Sequence, residues 1–112
     1  MKMEPVEAAA DGSADQDVVW WMTDRADRVA AFLKALSHKG RLMILCHLAG
    51  GEKSVTELEE LLGQRQAAVS QQLARLRLEG LVSTRREGKA IFYALRDPRV
   101  KRLLREIPGQ FG

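Results

Sequence analysis

Between residues 64 and 95 the chain runs a helix-patterned stretch rich in glutamine and arginine straight into a basic hairpin pattern, and no other segment restricts the fold as much. Within residues 65–80, Val69, Leu73 and Leu76 recur at helical spacing, so one face of that helix is apolar. Gln66, Ser70, Gln71, Gln72 and Arg75 fall on the face left exposed. Residues 81–95 read as two short strands with a turn at Gly88, and Arg85, Arg86 and Lys89 make that turn basic.

The flanking sequence supplies further helices. A first helix is expected over 23–36, with Thr23 as N-cap and Ala26, Val29, Ala30, Leu33 and Leu36 as its stripe. A corner at Ser37-His38-Lys39 leads to a second helix over 40–48, which places Leu42, Leu45, Cys46 and Ala49 on or beside one face and ends at Gly50-Gly51. Ser54-Val55-Thr56-Glu57 is a capping box that opens a third helix with core positions Val55, Leu58, Leu61 and Leu62. Gly63-Gln64 makes the turn into the glutamine-rich fourth helix, which runs to Glu79 and closes at Gly80. In the hairpin, Ile91, Tyr93 and Leu95 alternate with Ala90, Phe92 and Ala94, as strands half buried on helices do. Asp97-Pro98 begins a last helix with the stripe Val100, Leu103, Leu104 and Ile107, stopped by Pro108-Gly109. Helix-turn-helix followed by a basic hairpin predicts a mainly α fold with a small β-hairpin, the winged helix-turn-helix. Its first and last helices carry more apolar surface than one copy needs, so a homodimer through those helices is expected.

Charge points to the partner. Residues 1–24 hold one lysine against six acids, whereas residues 25–112 hold 17 basic and 9 acidic side chains. The folded part therefore attracts a polyanion. Amides and hydroxyls on an exposed helix face suit base edges in a major groove, and arginines suit phosphates, so double-stranded DNA is the expected partner. An acidic, disordered tail is expected over 1–19 and the winged domain over 20–112, with Trp20 and Trp21 packing on the first helix or on a partner chain. No apolar run approaches the roughly 20 residues that cross a bilayer, no signal-peptide core is visible, and a lone cysteine suits a reducing cytoplasm. One cysteine and two histidines assemble no nucleophile–base set, so neither an enzyme nor a cofactor is expected.

These elements in this order resemble the ArsR-type (ArsR/SmtB) family of winged-helix repressors. The match rests on Phe32-Leu33-Lys34-Ala35-Leu36-Ser37-His38, Arg41-Leu42-Met43-Ile44-Leu45, Val69-Ser70-Gln71-Gln72-Leu73-Ala74-Arg75-Leu76-Arg77, Gly80-Leu81-Val82 and Arg85-Arg86-Glu87-Gly88-Lys89 through to Tyr93, over about residues 26–107. The resemblance implies a homodimer whose recognition helices enter successive major grooves of an imperfect inverted repeat, about 34 Å apart. By position Gln66, Ser70 and Gln71 match the base-reading face. Arg65 and Ala67 stand where the family pattern more often has serine; Arg65 adds a phosphate contact, and Ala67 can meet only a thymine methyl. Gln72, Arg75, Arg85, Arg86 and Lys89 complete the expected DNA-binding set.

Many members of that family release DNA on binding metal, but the ligands are missing here. Residues 57–62 and 97–107 contain neither cysteine nor histidine, and Cys46-His47 are helix neighbours that point apart, so no metal site is expected. Ile44-Leu45-Cys46-His47-Leu48 instead resembles the helix-two cysteine of the family's persulfide- and oxidant-sensing branch, which bridges to a second cysteine in the last helix. That second thiol is absent, and Gly112 falls near its place. Two roles are compatible with Cys46. It is a single-thiol sensor, sulfurated by a sulfane-sulfur donor or oxidised, or a small apolar filler in a repressor governed by a small ligand, a partner or its own abundance. The helix C-terminus disfavours a thiolate there, and Lys39, Arg41 and Lys53 are the cations nearest in sequence.

Overall fold

A computed structural model of the chain describes residues 12–112; the expected tail over 1–11 lies outside the described residues. Two compact units divide at Lys34 and Ala35 and are taken separately.

The first unit departs from expectation. Helix α1, Gly12–Thr23, covers residues 12–19, where composition predicts a disordered tail. Thr23 ends this helix rather than capping the next: its hydroxyl donates back to the Val19 carbonyl at 2.7 Å. The chain turns at Asp24-Arg25 before α2, Ala26–Leu36. Arg25 secures the corner by donating from Nη1 to the Trp21 carbonyl at 2.8 Å while its guanidinium lies 4.8 Å from the Trp21 ring centre. Trp20 stays half exposed, as do Val18 and Leu33.

In the second unit the chain leaves α2 through buried Ala35 and Leu36, and Arg41 donates to the Ala35 carbonyl at 2.7 Å. Helix α3, Lys39–Ala49, is capped by His38, whose Nδ1 accepts from the Gly40 amide at 3.0 Å. A short strand β1, Lys53–Ser54, leads into α4, Val55–Leu62. Both halves of the capping box form: the Ser54 amide donates to Glu57 Oε1 at 2.9 Å and the Glu57 amide to Ser54 Oγ at 3.1 Å. Gly63, at φ +64°, takes the left-handed turn that frees the chain to enter α5, Gln66–Leu78. Strands β2, Val82–Glu87, and β3, Ala90–Leu95, pair antiparallel with Glu87 opposite Ala90, so Gly88-Lys89 is a two-residue turn. The sheet order is β1-β3-β2, with Ser54 opposite Phe92 and Arg85 opposite Phe92 on the other side.

The core is the meeting of Ile44, Leu45 and Leu48 from α3, Leu58 from α4, Val69, Leu73 and Leu76 from α5, Leu81 and Val82 from the hairpin, and Val100 from the last helix. Each such side chain is worth about 1.5–3 kcal/mol on burial. Leu61, expected in the core, is half exposed because α4 turns only its Leu58 side fully inward. The last helix, α6, Pro98–Phe111, runs through the expected stop at Pro108-Gly109. Pro108 removes one amide donor close to the helix end, and the Gly112 amide still closes on the Pro108 carbonyl at 2.8 Å.

Candidate nucleic-acid interface

Helix α5 owes its orientation to its own sequence. Val69, Leu73 and Leu76 are all fully buried and fix which side meets the core. At about 100° per residue, Gln71, Ala67 and Leu78 lie within about 30° of the direction opposite that stripe, with Arg75 and Ala74 about 50° from it. Ser70 stands on the flank and is exposed. Gln66 and Arg65 sit at the helix start: Arg65 is the N-cap residue and offers no side-chain acceptor to the first amides. The positive end of the helix dipole and the Arg65 cation therefore present the same sign to an approaching phosphate. Arg75 pairs with Glu79 at 3.3 Å in an exposed, one-turn ion pair, a weak contact that a phosphate can replace. Gln72 departs from the others. It is half buried, and its Nε2 lies 3.5 Å from where a side chain on Gly40 would begin, so it leans on the first turn of α3.

The wing divides its basic residues between two faces, because strand side chains alternate. Thr84 and Arg86 share the side of buried Val82, whereas Arg85 and Glu87 share the side of exposed Ser83. Arg86 and Lys89 are exposed. Lys89 and Gln66 line one cleft of about 320 Å³ with Ser54, Glu57 and Phe92, which brings the wing tip to the start of α5. Arg85 is placed differently. Its Nε donates to Glu52 Oε2 at 2.8 Å and Oε1 at 3.0 Å, Nη2 donates to Glu52 Oε1 at 2.7 Å, and Nη1 donates to Glu87 Oε2 at 2.6 Å. The guanidinium also stacks 4.6 Å from the Phe92 ring centre. The Arg85 hydrogen bonds hold the Glu52 carboxyl below the ordinary glutamate range, and both carboxylates push the guanidinium pKa up. Sequence reasoning missed Glu52 because it lies 33 residues from Arg85, before a two-residue strand with no alternating pattern to reveal it.

Cys46 is exposed rather than core filler. It opens into a groove of about 360 Å³ between α3 and α6, lined by Ala49, Lys101, Leu104 and Arg105. The cations that line this groove, Lys101 and Arg105, belong to α6. No helix among the described residues is long and apolar enough to cross a membrane.

Comparison with known proteins agrees with this geometry. Residues 38–84, from the cap of α3 into β2, match the model of the bacterial regulatory protein, arsR family. The biofilm growth-associated repressor of Agrobacterium fabrum is 51% identical over 90 residues, covering 80% of this chain and 77% of that protein. The transcriptional activator HlyU of Vibrio cholerae is 42% identical over 83 residues, covering 74% and 77%. The crystal structure of the transcriptional repressor BigR from Xylella fastidiosa superposes with a TM-score of 0.79 at 45% identity, covering 83% of this chain and 95% of that one. A winged helix-turn-helix with this family match and these similarities identifies the chain as a member of the ArsR family of bacterial DNA-binding regulators.

Proposed function

We propose that the chain is a dimeric transcriptional repressor that holds an imperfect inverted repeat through α5 and the wing, and that sulfuration or oxidation of Cys46 releases it. The observation that carries the DNA reading is the exposed face of α5, with Gln71 at its centre, Ser70 and Arg75 to either side, and Gln66 exposed at the helix start, where it lines a cleft with Lys89 of the wing. Amides there read base edges, while Arg65, Arg75, Arg86 and Lys89 bind phosphates. Repression is favoured over activation by the names of the Agrobacterium and Xylella relatives, although HlyU is named an activator. Helices α2 and α6 each leave apolar side chains at the surface, Leu33 half exposed on one and Leu103, Leu104 and Ile107 half buried on the other, which supports pairing of two copies through them.

The sulfur switch is supported by the exposure of Cys46 and by the basic groove it opens into. Lys101 and Arg105 line the same groove and attract an anionic donor. The thiolate attacks the outer sulfur of an organic persulfide, the donor's S–S bond breaks, and the donor leaves as a thiolate while Cys46 becomes a persulfide. The enlarged, charged side chain then occupies the groove between α3 and α6. Because α3 packs on α5 through the shared core, a shift of α3 moves the seat of the reading helix. The DNA half of the proposal is tested by titrating reduced protein into the duplex upstream of its own gene at several salt concentrations. Tight binding that weakens steeply with salt is expected; salt-independent or absent binding contradicts it.

A further inference from the structure

The Arg85 geometry assigns that residue a task different from its neighbours in the wing. Resting on the DNA-binding reading above, we propose that Arg85 is a positioning residue that clasps the wing to β1 through Glu52, and that it makes no phosphate contact.

Three features carry this. First, every nitrogen of the guanidinium is engaged: Nε and Nη2 on Glu52, Nη1 on Glu87, at 2.6–3.0 Å. A phosphate approaching it meets a cluster with one positive and two negative charges, and is repelled. Second, the clasp spans the whole sheet. Glu52 precedes the edge strand β1 and Arg85 belongs to the far strand β2, so the contact bridges two strand spacings, about 10 Å. Phe92 of the middle strand lies beneath it and supplies the ring on which the guanidinium stacks. Third, pleat alternation puts Arg85 on the sheet face opposite Arg86. The wing's contact with DNA then rests on Arg86 and Lys89, while its angle to α4 and α5 is set by Arg85 holding β2 to the segment that starts α4. The carboxylate fork needs guanidinium geometry, which an ammonium does not reproduce.

The test uses the full chain and a labelled mixed-sequence duplex of about 30 base pairs, titrated between about 50 and 200 mM salt. Arg85→Lys and Glu52→Gln are each expected to lower affinity several-fold at every salt concentration without changing the salt slope, and the double variant should do no more than either alone. Arg86→Ala in the same series should flatten the slope. In the free protein, the Arg85 Nε–H resonance should move in Glu52→Gln and, in wild type, stay in place when DNA is added. The proposal is overturned if Arg85→Lys binds like wild type while Arg85→Gln flattens the slope by about 0.9 per subunit, or if Glu52→Gln steepens the slope and tightens binding. An Arg85 resonance indifferent to Glu52→Gln also overturns it, in a measurement that needs no DNA. Absence of salt-dependent binding by wild type, with that resonance still coupled to Glu52, would refute the DNA reading and leave the clasp standing. Glu52→Gln removes a charge and keeps the side-chain shape, so it reports even where a variant at Arg85 fails to fold.

Discussion

Leu73 and Leu78 lie on the same helix, five positions apart, and the structure separates them completely. Leu73 is fully buried between Val69 and Leu76, whereas Leu78 is 85% exposed. Leu73→Ala deletes three carbons from a site walled on both sides by fully buried neighbours, so transfer and cavity terms combine to about 3 kcal/mol. For a domain of this size that loss lowers the melting temperature by about 12–24 °C, and it is a large share of a total near 5–15 kcal/mol. Leu78→Ala removes little buried surface and exchanges one good helix former for another, so its cost stays within about 0.5 kcal/mol. The assay is urea unfolding followed by circular dichroism, with all three proteins at one concentration because the proposed dimer would couple stability to protomer concentration. A Leu73→Ala cost below about 1 kcal/mol, or a Leu78→Ala cost equal to it, refutes the assigned orientation of the reading helix.

Four further outcomes are expected. Gln71→Ala should cost about 1–3 kcal/mol at the preferred operator and relax its base preference; equal losses on random DNA would reduce Gln71 to a positioning contact. Arg86→Ala should weaken binding to all sequences and flatten the salt slope by about one unit per subunit, measured by anisotropy over a salt series. Ser54→Ala should destabilise the fold by about 1 kcal/mol at neutral pH. The hydrogen bond from the Ser54 amide depresses the Glu57 pKa, so the stabilisation it reports is full above the ordinary glutamate range and fades as pH falls through the lowered folded value; Glu57→Gln should remove that acid dependence in a pH series of melts.

Much of this architecture was legible in residue spacing. The α5 stripe, the capping box at Ser54 and Glu57, and the turns at Gly63 and Gly88 are set by neighbours a few positions apart, and all appear where the pattern places them. What was hidden depended on distant partners. Strand β1 exists only because β3 offers an edge to Lys53 and Ser54, and two residues carry no alternation of their own. Thr23 reads equally well as a cap ahead or a bond behind, and its hydroxyl took the Val19 carbonyl. Pro108 looked like a stop, yet one missing donor near a helix end did not break α6. In the candidate site, glutamines and arginines on α5 were visible as a face, whereas the partners of Arg85 and the α6 cations that share a groove with Cys46 became visible only when the chain was folded.

DNA binding and the state of Cys46 are addressed together by one comparison. Wild type and Cys46→Ser are titrated side by side into the duplex upstream of the gene, each reduced and each treated with an organic persulfide. Tight binding in three samples and loss of affinity only in treated wild type are expected. Equal, tight binding in all four would contradict the sulfur switch and leave Cys46 without a regulatory role.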